Sequence, residues 1–151
     1  MTQTEIAITM LFDRWDASMK NFDEHLQTLS DETLEKEIAP GNNRGIYLLG
    51  HMIAVHDEML ILLDMGEKLY PELFEPYVTL PDKAVTLTQT VAELKKYWVD
   101  QCAVIKQKFS ELSAEAWFDK HTRVSAEDFE KEPHRNKLNI ILTKTTHIEY
   151  K

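Results

Sequence analysis

Among the side chains of this 151-residue sequence, the six histidines are the best suited to chemistry, and two of them have unusual settings. His51 follows Gly50 inside the most apolar stretch of the chain, with Leu48, Leu49, Met52 and Ile53 around it. His147 has a similar setting near the end of the sequence, between Thr145 and Ile148. An imidazole buried without a partner costs ~1–3 kcal/mol, so each ring needs something to bind. Taken singly, each is more simply a core histidine satisfied by hydrogen bonds. On two different helices of one bundle they become candidate ligands of a shared divalent metal, because bundle cores build such sites from facing helices. The corresponding chemistry is Lewis-acid activation of a bound water or thiol beside an open coordination position. Spacing alone does not bring the two rings together.

The other histidines read differently. His25 lies among Asp23, Glu24 and Gln27 and is expected in solvent. His121 and His134 fall in irregular sequence, where hydrogen bonds to loop carbonyls are the simpler expectation. His56 stands five positions after His51, about 140° round a helix, so the two cannot chelate one ion from the same face. Glu58 shares the face of His51 but lies ~10 Å along the axis, too far to serve by default as a third ligand. Phosphate-binding glycine loops, nucleophile elbows, H-E-x-x-H and paired zinc cysteines do not occur. Glu-x-x-His, the di-iron bundle signature, is also missing, since Lys144 holds the position three before His147.

The elements that must carry these residues are helices. Periodicity predicts four long ones near residues 4–29, 44–65, 88–112 and 135–151. The first places Met10, Leu11, Trp15, Met19, Phe22, Leu26 and Leu29 inward, and Ser30 or Asp31 caps a short helix after it. The second, ended by Gly66, is apolar on most sides, so it is central in its bundle or also faces another subunit. Prolines from Pro71 to Pro81 forbid a long helix in that stretch. The third helix starts at Thr88 or Thr90, where Thr90-Val-Ala-Glu93 has the form of a capping box, and carries Val91, Leu94, Trp98, Cys102, Ile105, Phe109 and Leu112. The last turns Leu138, Ile141, Leu142, Thr145 and Ile148 inward. The expected architecture is therefore all-α, one four-helix bundle spanning residues 1–151.

Composition narrows the function. With 26 acidic against 17 basic side chains and a formal charge of −9, the surface repels phosphate backbones, and no basic stripe compensates. Nucleic acid is not an expected partner. The longest apolar run, Met59 to Leu63, is far short of a membrane span. Cys102 stands alone in an apolar helical pattern, which predicts an inert thiol and a reducing compartment. The first residues lack the basic and apolar regions of a signal peptide, so a cytoplasmic protein is expected.

The stretch from Ile38-Ala-Pro-Gly-Asn-Asn-Arg to Leu-Leu-Gly-His51-Met-Ile-Ala-Val-His-Asp57 resembles the second helix of DinB-like (DinB/YfiT) proteins and the loop before it. Similar likenesses occur at Tyr70-Pro-Glu-Leu, at Ala92-Glu-Leu-Lys-Lys-Tyr-Trp98, at Trp117-Phe-Asp-Lys-His and over Glu132 to Lys151. The resemblance implies a four-helix bundle, often a homodimer, with three histidines on a divalent metal such as nickel or zinc. His51 matches the helix-two ligand, His147 the first of an H-x-x-x-H pair, and Lys151 the third position. An ammonium has no lone pair to give a metal, so the resemblance implies either a degenerate site, weakened or empty, or one that a nearby acid or water completes. It also implies a metal-dependent hydrolase or thiol-dependent transferase acting on a small molecule; the competing expectation is a non-catalytic dimeric bundle acting through its surface.

Overall fold

A computed structural model describes residues 1–150. The chain is all-α: no strand forms among these residues, and only isolated bridges join Glu37 to Arg44 and Lys120 to Asn136. The helices are α1 (Gln3–Gln27), α2 (Asp31–Leu34), α3 (Gly45–Leu62), α4 (Val91–Ser110), α5 (Ala126–Lys131) and α6 (Lys137–Tyr150). The four long ones, α1, α3, α4 and α6, form the bundle.

Local chemistry explains where they begin. Thr2 and Glu5 cap α1 reciprocally, Ser30 caps α2, Thr90 accepts from the Glu93 amide at 3.1 Å, and Ser125 caps α5. The end of α3 differs from expectation. The helix stops at Leu62 rather than Met65, in a Schellman arrangement: Met65 N donates to the Leu60 carbonyl at 2.8 Å and Asp64 N to that of Ile61 at 3.1 Å. Asp64, at φ 55°, takes the left-handed position expected of Gly66, which lies beyond at φ 125°. Aspartate reaches that region more readily than most residues because its short side chain hydrogen-bonds locally.

Packing puts α3 at the centre, with 78% of its residues buried against the rest of the chain. It is long and apolar enough to cross a membrane, but that apolar circumference is covered by α4, α6, α2 and the turns after it. Two inward expectations fail. Met10 is 67% exposed because it stands two residues, about 200° of helix, from buried Ile8. Leu142 is 48% exposed, turned one residue, about 100° of helix, from buried Ile141.

The stretch after α3 is where the backbone departs from regularity. Pro71–Leu73 forms a 3₁₀ turn and Glu75–Thr79 one turn of π-helix. Asp57, fully buried on α3, anchors this stretch by accepting from Tyr70 N at 2.8 Å; its other oxygen accepts from Gln101 of α4 at 2.7 Å. At the far end of α3, Thr122 N donates to the Leu62 carbonyl at 3.1 Å, and Lys137 N donates to that of Asp119 at 2.9 Å. These bonds set the start of α6 beside the end of α3, and the two helices then run antiparallel in contact.

Candidate metal centre

His51 and His147 meet across the seam between α3 and α6. Their ring centroids are 5.5 Å apart and the planes are inclined by 31°. Two imidazoles on one tetrahedral ion would stand with centroids roughly 5–6 Å apart, given metal–nitrogen distances near 2.0–2.1 Å. The Nε2 atoms of both rings are shielded from solvent.

The orientation of His51 has a clear cause. Its Nδ1 lies 2.9 Å from the carbonyl oxygen of Tyr77, in the π-helical turn. A carbonyl can only accept, so Nδ1 carries the proton and Nε2 keeps the lone pair a metal would need. Tyr77 is itself immobilised: it is fully buried, its hydroxyl donates to Gln89 Oε1 at 3.2 Å, and its ring lies directly on Gly50. A Cβ at position 50 would fall 2.6 Å from Tyr77 Cγ and closer still to Cδ1 and Cε1. Glycine beside His51 is therefore what lets the turn approach the helix. Tyr47 stacks near His51 at 6.3 Å and ties its hydroxyl to the Leu80 carbonyl at 2.7 Å.

A complete set of ligands does not assemble among the described residues: no group of three or more His, Cys, Asp or Glu could hold a metal ion there. Lys151, the third position implied by the resemblance, lies outside the described residues. Glu58 is occupied by Lys68 and Arg123, each at 2.6 Å. The remaining histidines stand apart. His25 and His134 are exposed, and His121 accepts from the Arg123 amide at 3.2 Å instead of donating to a carbonyl. His56 is wholly buried, donating through Nδ1 to the Met52 carbonyl at 2.7 Å against the edge of Trp98. Burial pushes its pKa down to about 4, so it is a neutral core imidazole. Burial likewise pushes the Cys102 thiol up to about 12, which removes it as a nucleophile.

A family profile for the DinB superfamily matches residues 14–147. The chain belongs to the DinB superfamily. The fold is similar to that of a conserved protein from Enterococcus faecalis, known from a crystal structure, with a TM-score of 0.59 at 16% identity over 98% of this chain and 91% of that one. No curated protein matches the sequence. Membership and fold thus agree with the all-α bundle described above.

Proposed function

We propose that this DinB-superfamily chain is a metal-assisted enzyme of the hydrolase or thiol-transferase class, with a histidine centre weakened to His51 and His147. The observation that carries the reading is the Tyr77 carbonyl on His51 Nδ1 (2.9 Å), with His147 facing the same ring at 5.5 Å. The two rings share one seam, and the Nε2 of each is shielded from solvent. His51 and His147 would hold nickel or zinc through Nε2, and a bound ion would polarise water or a small thiol. Tyr77 holds the proton of His51 in place, and the seam keeps bulk solvent from both nitrogens. With two protein ligands, metal affinity falls well below that of a closed three-histidine site.

The second reading is a non-catalytic, dimeric bundle acting through its surface, favoured by the engagement of Glu58 with Lys68 and Arg123. Calorimetric titration of untagged protein with nickel and zinc separates the two. The enzyme reading expects saturable binding, weakened at least ~10-fold by His51→Ala and by His147→Ala. Indistinguishable isotherms for all three proteins would leave the non-catalytic bundle.

A further inference from the structure

The seam between α3 and α6 carries a charged group that the histidine pair does not use. Lys144 precedes His147 by three residues, on the same face of α6 and ~4.5 Å nearer the helix start. Because α6 runs antiparallel to α3, that displacement is toward Glu58, which lies seven residues after His51 on α3. Glu58 already has two cations, Lys68 and Arg123, each at 2.6 Å. Lys144 makes no hydrogen bond or ion pair among the described residues, although it is partly buried. Burial lowers its pKa; Glu58 offsets part of that effect, and Arg123 adds to it.

Glu58 thus holds two cations, and the register of α6 on α3 brings a third, Lys144, into the same part of the seam in a chain whose formal charge is −9. An ammonium partly removed from water, whose neighbouring carboxylate already holds two other cations, destabilises a fold, and such local conflicts concentrate at binding sites. The field it creates attracts an anion that the rest of this acidic surface repels. Arg123 keeps most of its guanidinium in solvent while one nitrogen holds Glu58, so it has donors left to offer. We propose that Lys144 and Arg123 form an oxyanion subsite beside the His51–His147 pair, taking the carboxylate or phosphate of a small molecule whose reacting group lies at the histidines. Calling that molecule a substrate rests on the proposed histidine centre; the subsite itself does not.

The test uses chelator-treated, metal-free protein and inorganic phosphate as the probe, at ionic strength matched with chloride. Amide chemical shifts should move saturably, most at Lys144, Glu58 and Arg123. Lys144→Met should weaken phosphate binding at least ~10-fold, since it removes a charge-assisted partner. Lys106→Met, which removes an ammonium paired with Asp16 at 2.6 Å, should change it less than about two-fold. Phosphate should raise the melting temperature of the wild type and not that of Lys144→Met. Without phosphate, Lys144→Met should melt no lower than wild type, because the methionine stem fills the same space without the charge. Unsaturable shifts, shifts centred elsewhere, or equal affinity in Lys144→Met would overturn the subsite. Nickel titration of the same samples separates the two proposals: phosphate binding without metal binding removes the histidine centre and keeps the subsite, and the reverse removes the subsite.

Discussion

Gly50→Ala should destabilise this protein, opposite in sign to the effect of the same change in most helices. In an exposed helix interior, alanine gains about 1 kcal/mol over glycine from reduced backbone entropy. At position 50 the added methyl would sit 2.6 Å from Tyr77 Cγ and nearer to two other ring atoms, against ordinary contacts of about 3.5–4.0 Å. Tyr77 is fully buried and its hydroxyl is tied to Gln89, so the ring must shift by roughly 1 Å with the turn that carries it. Overpacking of this kind costs about 3 kcal/mol, at the upper end of the usual range, which leaves a net loss of about 2 kcal/mol. For a chain of this size that lowers the melting temperature by roughly 4–8 °C. Because the Tyr77 carbonyl is the partner of His51 Nδ1, the shift should also loosen the tautomer of His51. Urea unfolding gives the first quantity, and nitrogen-15 spectra of the imidazoles give the second. A variant as stable as wild type with an unchanged His51 tautomer would refute the account of Gly50 and of how His51 is held.

Two further predictions concern buried ionisable groups. His56 has a folded pKa of about 4 against 6.5 when unfolded, so as pH falls through that window the unfolded chain takes up a proton that the native one refuses. About 3 kcal/mol of stability present above pH 6.5 is therefore lost by pH 4, and urea midpoints against pH should flatten over that range in His56→Leu. Burial raises the pKa of Asp57, which acts in the opposite sense and remains in the variant. Asp57→Ala should cost about 3 kcal/mol at neutral pH, since it strands the Tyr70 amide and one bond of Gln101. Hydrogen exchange at Tyr70 should accelerate with it; unchanged protection there would show that Asp57 does not anchor the turn.

The helices were legible because their signals are local. Thr90 and Ser30 announce caps, and the buried positions Trp15, Met19 and Leu26 or Leu94, Trp98 and Ile105 recur at helical spacing. The two site histidines stood out for the same reason, as polar groups in apolar surroundings. Met10 and Leu142 were misplaced because an apolar residue on the surface carries no penalty large enough to be read from pattern. The end of α3 was misplaced because both Asp64 and Gly66 can leave a helix, and tertiary packing chose between them. The contacts that orient His51 were not legible, since they join it to a turn 26 residues away in sequence. One signal was available: a glycine beside a histidine in an apolar helix marks close backbone approach. Lys144 offered another, as a lysine flanked at helical spacing by buried Ile141 and Ile148.

The geometry of the candidate centre depends on a closed circuit that begins and ends on α3. His51 and Asp57 are less than two helical turns apart, and the irregular stretch between Tyr70 and Tyr77 is bonded to both. At Asp57 the helix supplies the acceptor and the turn the amide; at His51 the helix supplies the donor and the turn the carbonyl. Gln101 ties the Asp57 end to α4, and Gln89 ties the Tyr77 end to the segment leading into that helix. The π-helical turn thus has little freedom to slide along α3, and the Tyr77 carbonyl stays where His51 needs it. A prolyl, irregular segment is poorly suited to hold a ring within the ~0.5 Å that a binding site demands, unless it is pinned at both ends. Here Asp57 and Tyr77, the two residues that pin the segment to α3, are fully buried, so the carbonyl that orients His51 is held from both ends.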